Sequence, residues 1–163
     1  MPELTRLKKY QTMLHLDTSS TSTPLWARIG KSTVFDLVMN AQTEENDFIE
    51  DEQPSTDIMS YKPEIDEELQ ANKGDAAFDY LYGMMKSRPT GEDVKKSVLI
   101  TFAGNTGSDA NPSFDGWLTE STITIDHFDS VAEKIYFKIA INKVTEGTVT
   151  VTDGVPSFSP SNP

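Results

Sequence analysis

The stretch Lys134–Lys143, KIYFKIAINK, constrains the fold more than any other part of this sequence. Ile135, Phe137, Ile139 and Ile141 fall on one parity, and Tyr136, Lys138, Ala140 and Asn142 on the other. Strict alternation is the period of a strand with one face buried. Branched and aromatic residues suit such a pleated surface. The apolar face needs a cover from elsewhere in the chain. The mixed face can meet solvent or a second subunit.

Other segments repeat that signal. Lys95–Phe102 places Val98, Ile100 and Phe102 on one side, and Trp117–Phe128 sets Ile123 and Ile125 against Thr122, Thr124 and Asp126. A turn near Asp129 and Ser130 joins the latter to the Lys134 strand as a hairpin. Thr33–Met39 reads as a strand, as does Ile58–Ala71, with Met59, Tyr61, Ile65, Leu69 and Ala71 on one parity. Asp66, Glu68 and Gln70 take the other parity, Glu67 interrupts the apolar set, and Pro63 suggests an edge or bulge. Glu146-Gly147 is expected to turn into a short last strand, Thr148–Thr152.

One helix is expected, over 75–87. Asp75 suits its N-cap, Phe78, Leu81, Tyr82 and Met85 form an apolar stripe, and Pro89 ends it. That stripe is the candidate cover for the sheet. The fold class is therefore mainly β, with one flanking helix.

Between the strands, Thr43–Asp57 carries Glu44, Glu45, Asp47, Glu50, Asp51, Glu52 and Asp57 without a cation, and Asp36 just precedes it. It has no alternation beyond the Phe48-Ile49 pair, so it reads as a long exposed loop. Loops longer than about 12–15 residues in compact domains are functional or disordered. The chain is expected to be one domain over 1–163, with an N-terminal arm at 1–24 and a proline-rich C-terminal tail at 153–163. The run Asp17–Pro24, DTSSTSTP, buries nothing and reads as a mobile linker, or as an arm that orders on a neighbouring subunit.

Composition excludes several functions. Net charge is −12, against a partner wrapped in cations such as specifically bound nucleic acid. No apolar run approaches the roughly 18 residues of a membrane span. The first residues lack the apolar centre of a signal peptide, so synthesis and folding in a cytoplasm are expected. Without cysteine, and with His15 and His127 far apart in sequence, there is no metal-ligand cluster and no cofactor to expect. Gly30-Lys31-Ser32 resembles the end of a phosphate loop, but Leu25 stands where the motif needs glycine. The acidic loop, and Asp109, Asn111 and Asp115, could attract Ca²⁺, but they lack the spacing of a Ca²⁺ loop. No nucleophile elbow accompanies either histidine, so an enzyme is not expected.

The order of parts resembles a known family. LWARIGKST, a strand, an acidic loop, a strand ending near NKGD, AAFDYLYGMMKSRPTG, a strand, STITIDHFDS and a last hairpin are similar to the major tail tube proteins of long-tailed, non-contractile bacteriophages (siphophages), especially those of Gram-positive hosts. The resemblance covers about Leu25–Val151, and Trp26–Gly30 and Lys73-Gly74-Asp75 are its closest local matches.

It implies a β-sandwich or split barrel with a flanking helix. It also implies hexameric rings stacked into a tube around a tape-measure protein. The ends of the tube would meet tail terminator and distal tail or baseplate proteins, and DNA would leave through it without specific binding. The protein's place would be the virion, with no membrane partner. On this reading the inter-ring loop candidates are Glu44, Glu45, Asp47, Phe48, Ile49, Glu50, Asp51 and Glu52. They would meet Lys95, Lys96 or Arg88 of the next ring. The lumen candidates are Asp66, Glu68 and Gln70. The rival readings are a phage or cell-surface β-sandwich adhesion module and a hydrolase on a β scaffold.

Overall fold

The structure is a computed structural model that describes residues 6–7, 11–19, 22–32, 35–104 and 110–161. Its spine is a ribbon of two long antiparallel strands, β8 (Ser113–Asp129) and β9 (Lys134–Thr152). In the turn between them, Asp129 Oδ1 accepts from the amides of Val131 and Ala132 at 3.0 and 3.1 Å. Glu133 takes a left-handed conformation before β9 begins. Two bulges bend the ribbon, one with its extra residue on β9 (Asn142, opposite Glu120/Ser121) and one on β8 (Asp126, between Ile125 and His127), because an extra residue locally increases twist.

Each end of the ribbon carries different strands. Residues 116–122 of β8 pair with β7 (Lys95–Thr101), which pairs with β1 (Met13–Asp17), and β1 with β2 (Trp26–Arg28). On β9, residues 134–140 pair with β6 (Glu64–Gln70), and β6 with β3 (Asp36–Val38). Residues 147–152 of β9 pair with β10 (Val155–Pro160). A separate two-stranded sheet joins β4 (Ala41–Asn46) to β5 (Ser55–Tyr61).

Strands far apart in this order share one core. Leu14 and Leu16 of β1 join Ile65 and Leu69 of β6 in one buried cluster with Val98, Ile123 and the β9 row Ile135, Phe137, Ile139 and Ile141. The sheet must curl back on itself to bring them together, which makes the expected split barrel with a flanking helix. The alternation of Lys134–Ile141 is realised: the four apolar residues are buried, and Tyr136, Lys138 and Ala140 are half-buried.

Helix α1 (Ala76–Ser87) closes the open side, in contact with β2, β8 and β9. Asp75 is its N-cap, accepting from the Ala77 amide at 3.2 Å. The buried face is Ala77, Phe78, Leu81 and Met84, so it is rotated from the expected stripe. Small Ala77 lets the helix approach closely, which turns Met84 inward and leaves Met85 half-buried. Tyr82, also half-buried, stacks on Phe78 and meets Phe128 edge-on, both at 5.4 Å.

Several expectations are corrected. Thr43–Asp57 is not a long loop but most of the β4–β5 hairpin, with its tip at 47–54. Ile58–Ala71 is not one strand: the chain leaves β5 at Tyr61 and enters β6 at Glu64, with Pro63 at the break. Glu146-Gly147 does not turn, because β9 runs straight through it. The turn lies at Asp153-Gly154, both at positive φ, and the tail returns as β10.

Gly147 is small because a side chain of its antiparallel neighbour β10 lies over it: a Cβ would meet the Phe158 ring at 2.6 Å. The N-terminal arm holds a true strand, β1. In the Thr33–Met39 strand, β3 covers Asp36–Val38, and Thr33 and Val34 lie outside the described residues.

Candidate functional site

The β4–β5 hairpin stands off the barrel. Every residue of both strands is exposed except Asn46, which is half-buried. Two hydrogen bonds close its base: Lys62 N to Asn40 O at 3.3 Å, and Asn40 Nδ2 to Lys62 O at 3.2 Å. An isolated two-stranded hairpin is at best marginally stable in water, so this one gains from a surface to lie on.

The two faces of the hairpin differ. A bulge at Gln42/Thr43 lets Thr43 pair with Ile58 and Ala41 with Tyr61, so Ile58 and Tyr61 share a face although three residues apart. The opposite face pairs Glu44 with Asp57, like charges that repel. Asn46 Nδ2 donates to Asp57 Oδ2 at 3.0 Å. Glu45 lies on the apolar face beside Thr56.

Asp47, Phe48, Ile49, Glu50, Asp51 and Glu52 form the tip, turned by the Asp51 amide donating to Phe48 O at 3.0 Å. Ile49 is wholly exposed and Phe48 is 54% exposed. The exposed apolar pair Phe48-Ile49 is thus ringed by carboxylates.

A second surface is the polar face of β3, β6 and β9. Asp66, Glu68 and Gln70 lie on it together, as their parity requires. The register adds cations that parity alone does not reveal. Lys134 Nζ donates to Glu68 Oε1 at 3.0 Å, and this contact raises the Lys134 pKa. Lys138 Nζ lies 3.8 Å from Glu64 Oε1 and 3.6 Å from Asp66 Oδ1. Asp36 stands opposite Asp66 on β3. His127 stacks on Tyr136 at 4.3 Å, with its Nδ1 2.7 Å from Asp126 Oδ2. The face is thus a partly neutralised ladder of charge, more acidic toward β3.

A third surface is a groove of about 400 Å³ beside the C-terminus of α1, lined by Met84, Met85, Arg88, Val94, Ile123 and Ile125. Arg88 caps the helix in the left-handed conformation, φ 53° and ψ 57°, where glycine is usual. A side chain there costs roughly 1–2 kcal/mol. Of the other expected cation partners, Lys95 is bound to Glu92 at 2.8 Å and Lys96 lies over the Tyr80 ring at 5.7 Å.

Two titratable groups are buried, which the sequence reading did not foresee. Glu67 points into the core side of β6, 5% exposed, and accepts from Ser32 Oγ at 2.7 Å. Burial pushes its carboxyl up to about 7, against the pull of that hydrogen bond. His15 lies on the opposite sheet face, and burial, with the Arg28 charge beside it, lowers it to about 4. The two histidines are not brought together: His15 is buried on β1 and His127 exposed on β8.

Among the described residues no group of three or more His, Asp or Glu side chains could hold a metal ion. Asn111 Oδ1 accepts from Thr152 Oγ1 at 3.2 Å, and Asp109 lies outside the described residues. No described helix is long and apolar enough to cross a membrane.

Compared with known proteins, the chain matches no family model and no curated protein. Its fold does match solved structures. One neighbour is a chain in the cryo-EM structure of an extracellular contractile injection system, described as the PVC sheath/tube terminator in the extended state. It has a TM-score of 0.53 and 12% identity over 88% of this chain and 97% of that one. A second is a chain in the cryo-EM structure of the anti-feeding prophage baseplate, sixfold symmetrised, with a TM-score of 0.52 and 6% identity over the same shares. At these identities the likeness is one of fold.

Proposed function

We propose that this chain is a structural virion protein, the subunit of hexameric rings that stack into a phage tail tube. The observation that carries this reading is the β4–β5 hairpin, fully built yet touching almost nothing of its own barrel. Such an element reaches the adjacent ring. The closed ring is a head-to-tail interface, and stacking is a second, open one that makes a filament. The fold neighbours support the setting: one belongs to a tube terminator assembly, the other to a sixfold-symmetrised baseplate.

In this reading the polar face bearing Asp66, Glu68 and Gln70 lines the lumen around a tape-measure protein. Genome DNA, with about one negative charge per 1.7 Å of axis, slides past a face that does not hold it. Tail terminator and distal tail or baseplate proteins meet the tube ends. The subunit is made in the bacterial cytoplasm, ends in the virion and performs no chemistry.

A second reading follows from the same neighbours: a single ring at the end of a tube, as a terminator or baseplate component. Negative-stain microscopy of the purified chain at high concentration separates the two. Tubes establish the repeating subunit, isolated rings the terminal one, and persistent monomers remove both. Deleting 45–54 is expected to leave rings or folded monomers and abolish tubes. Normal tubes from that variant would take the hairpin out of the mechanism.

A further inference from the structure

The hairpin tip is acidic and apolar at once. Asp47, Glu50, Asp51 and Glu52 enclose Phe48 and Ile49 within six residues. Its seat must offer an apolar depression with a cation at the rim, and on a chain of net charge −12 few surfaces do. The groove on the sheet beside Lys95 and Lys96 also holds Glu92 and Glu120, and is polar. The groove between Trp26 and Phe158 is apolar but has no charged lining residue.

The groove at the end of α1 has both features. Met84, Met85, Val94, Ile123 and Ile125 make its walls, and Arg88 stands at its rim. No carboxylate among the described residues lies within ion-pair distance of Arg88, whose left-handed backbone carries a cation where glycine would be less strained. Asp126, on the same groove, is engaged with His127.

The geometry points to this groove as the seat for the hairpin tip of a second copy of this chain. Phe48 and Ile49 enter between Met84, Met85 and Ile125, and Arg88 meets the carboxylates of Glu50 and Asp51. The contact deepens the stacked-ring reading and rests on it for its biological meaning, but it is testable without tubes. The same contact explains how an acidic chain adheres to itself: each interface sets a concentrated negative tip on a cation that no carboxylate of its own subunit holds.

The native chain has no cysteine, so introduced thiols report single pairs. Full-length Ile49→Cys and Met85→Cys chains are mixed and oxidised. A disulfide-linked heterodimer is expected, and none when Lys96→Cys replaces Met85→Cys. Adding Arg88→Glu to the Met85→Cys chain is expected to lower the yield about tenfold, as for a partly desolvated charge pair. Adding Asp51→Arg to the Ile49→Cys chain should restore it.

Absence of the heterodimer while tubes form overturns the groove and leaves the stacking reading in place. Absence of both overturns both. A heterodimer without tubes or rings upholds the seat and overturns the tube. Ile49→Cys that links to Lys96→Cys as readily as to Met85→Cys overturns the seat.

Discussion

At the residue scale, the two buried titratable groups oppose each other in pH. Glu67 holds its proton more tightly folded than unfolded, its carboxyl rising from 4.5 to about 7. Its contribution to stability is therefore greatest below pH 4.5, declines as pH rises to about 7 and is level above. His15 falls from 6.5 to about 4, so its contribution is full above 6.5 and lost as pH drops toward 4. Across the overlap the two slopes cancel.

Glu67→Gln, which keeps a partner for Ser32, is expected to remove one of them. Its stability relative to the parent should rise between pH 4.5 and 7 and stay level above, by at most about 3 kcal/mol. Urea melts of variant and parent at pH 4.5, 6 and 8 check this, and a variant-minus-parent difference that is the same at all three would show that Glu67 is not held neutral. Sequence marked Glu67 as a flaw in an apolar row. What it could not display was Ser32, 35 positions away, supplying the hydrogen bond that makes burial tolerable.

At the scale of elements, alternation was legible where one face is buried and silent elsewhere. Lys134–Ile141 declared itself because its four apolar residues face the core. The hairpin was hidden because neither of its faces is covered, so no periodicity marks β4 and β5 as strands. The far half of β9 was hidden by Glu146-Gly147, a pair that reads as a turn but makes room for the Phe158 ring of β10.

The helix was legible to within one residue, and its inward face to within a small rotation. Leu81 lies at the centre of that face, fully buried. Leu81→Asp is expected to cost about 4 kcal/mol or more, a large part of the roughly 5–15 kcal/mol that holds a domain together. Native thermal melting of that variant would show that the helix is not the cover of the barrel. Met85→Ala, on the groove side, is expected to lower the melting temperature far less, because that side chain is half-exposed.

At the scale of the whole molecule, the class of fold was readable, and the strand order was not. The N-terminal β1 reaches β7 and β6 reaches β9, pairings that no local pattern specifies. The same limit applies to the proposed lumen. Parity put Asp66, Glu68 and Gln70 on one face, but the register showed Lys134 and Lys138 among them.

Glu68 is a poor site for charge reversal, because its side chain is 13% exposed and grips Lys134. Asp66 and Gln70 are exposed. Asp66→Lys with Gln70→Lys is expected to leave assembly intact and to slow DNA release from particles carrying it. Release at the parental rate would place this face away from the DNA.

The hairpin shares almost no buried surface with the barrel that carries it. Its tip can therefore vary in length and charge without disturbing how the remainder folds. Grafting the tip of one such chain onto another is expected to transplant the proposed contact between copies and to leave the recipient's melting curve unchanged. On the proposed reading the tip is free to change, whereas its seat, walled in part by the core residues Met84 and Ile123, is not.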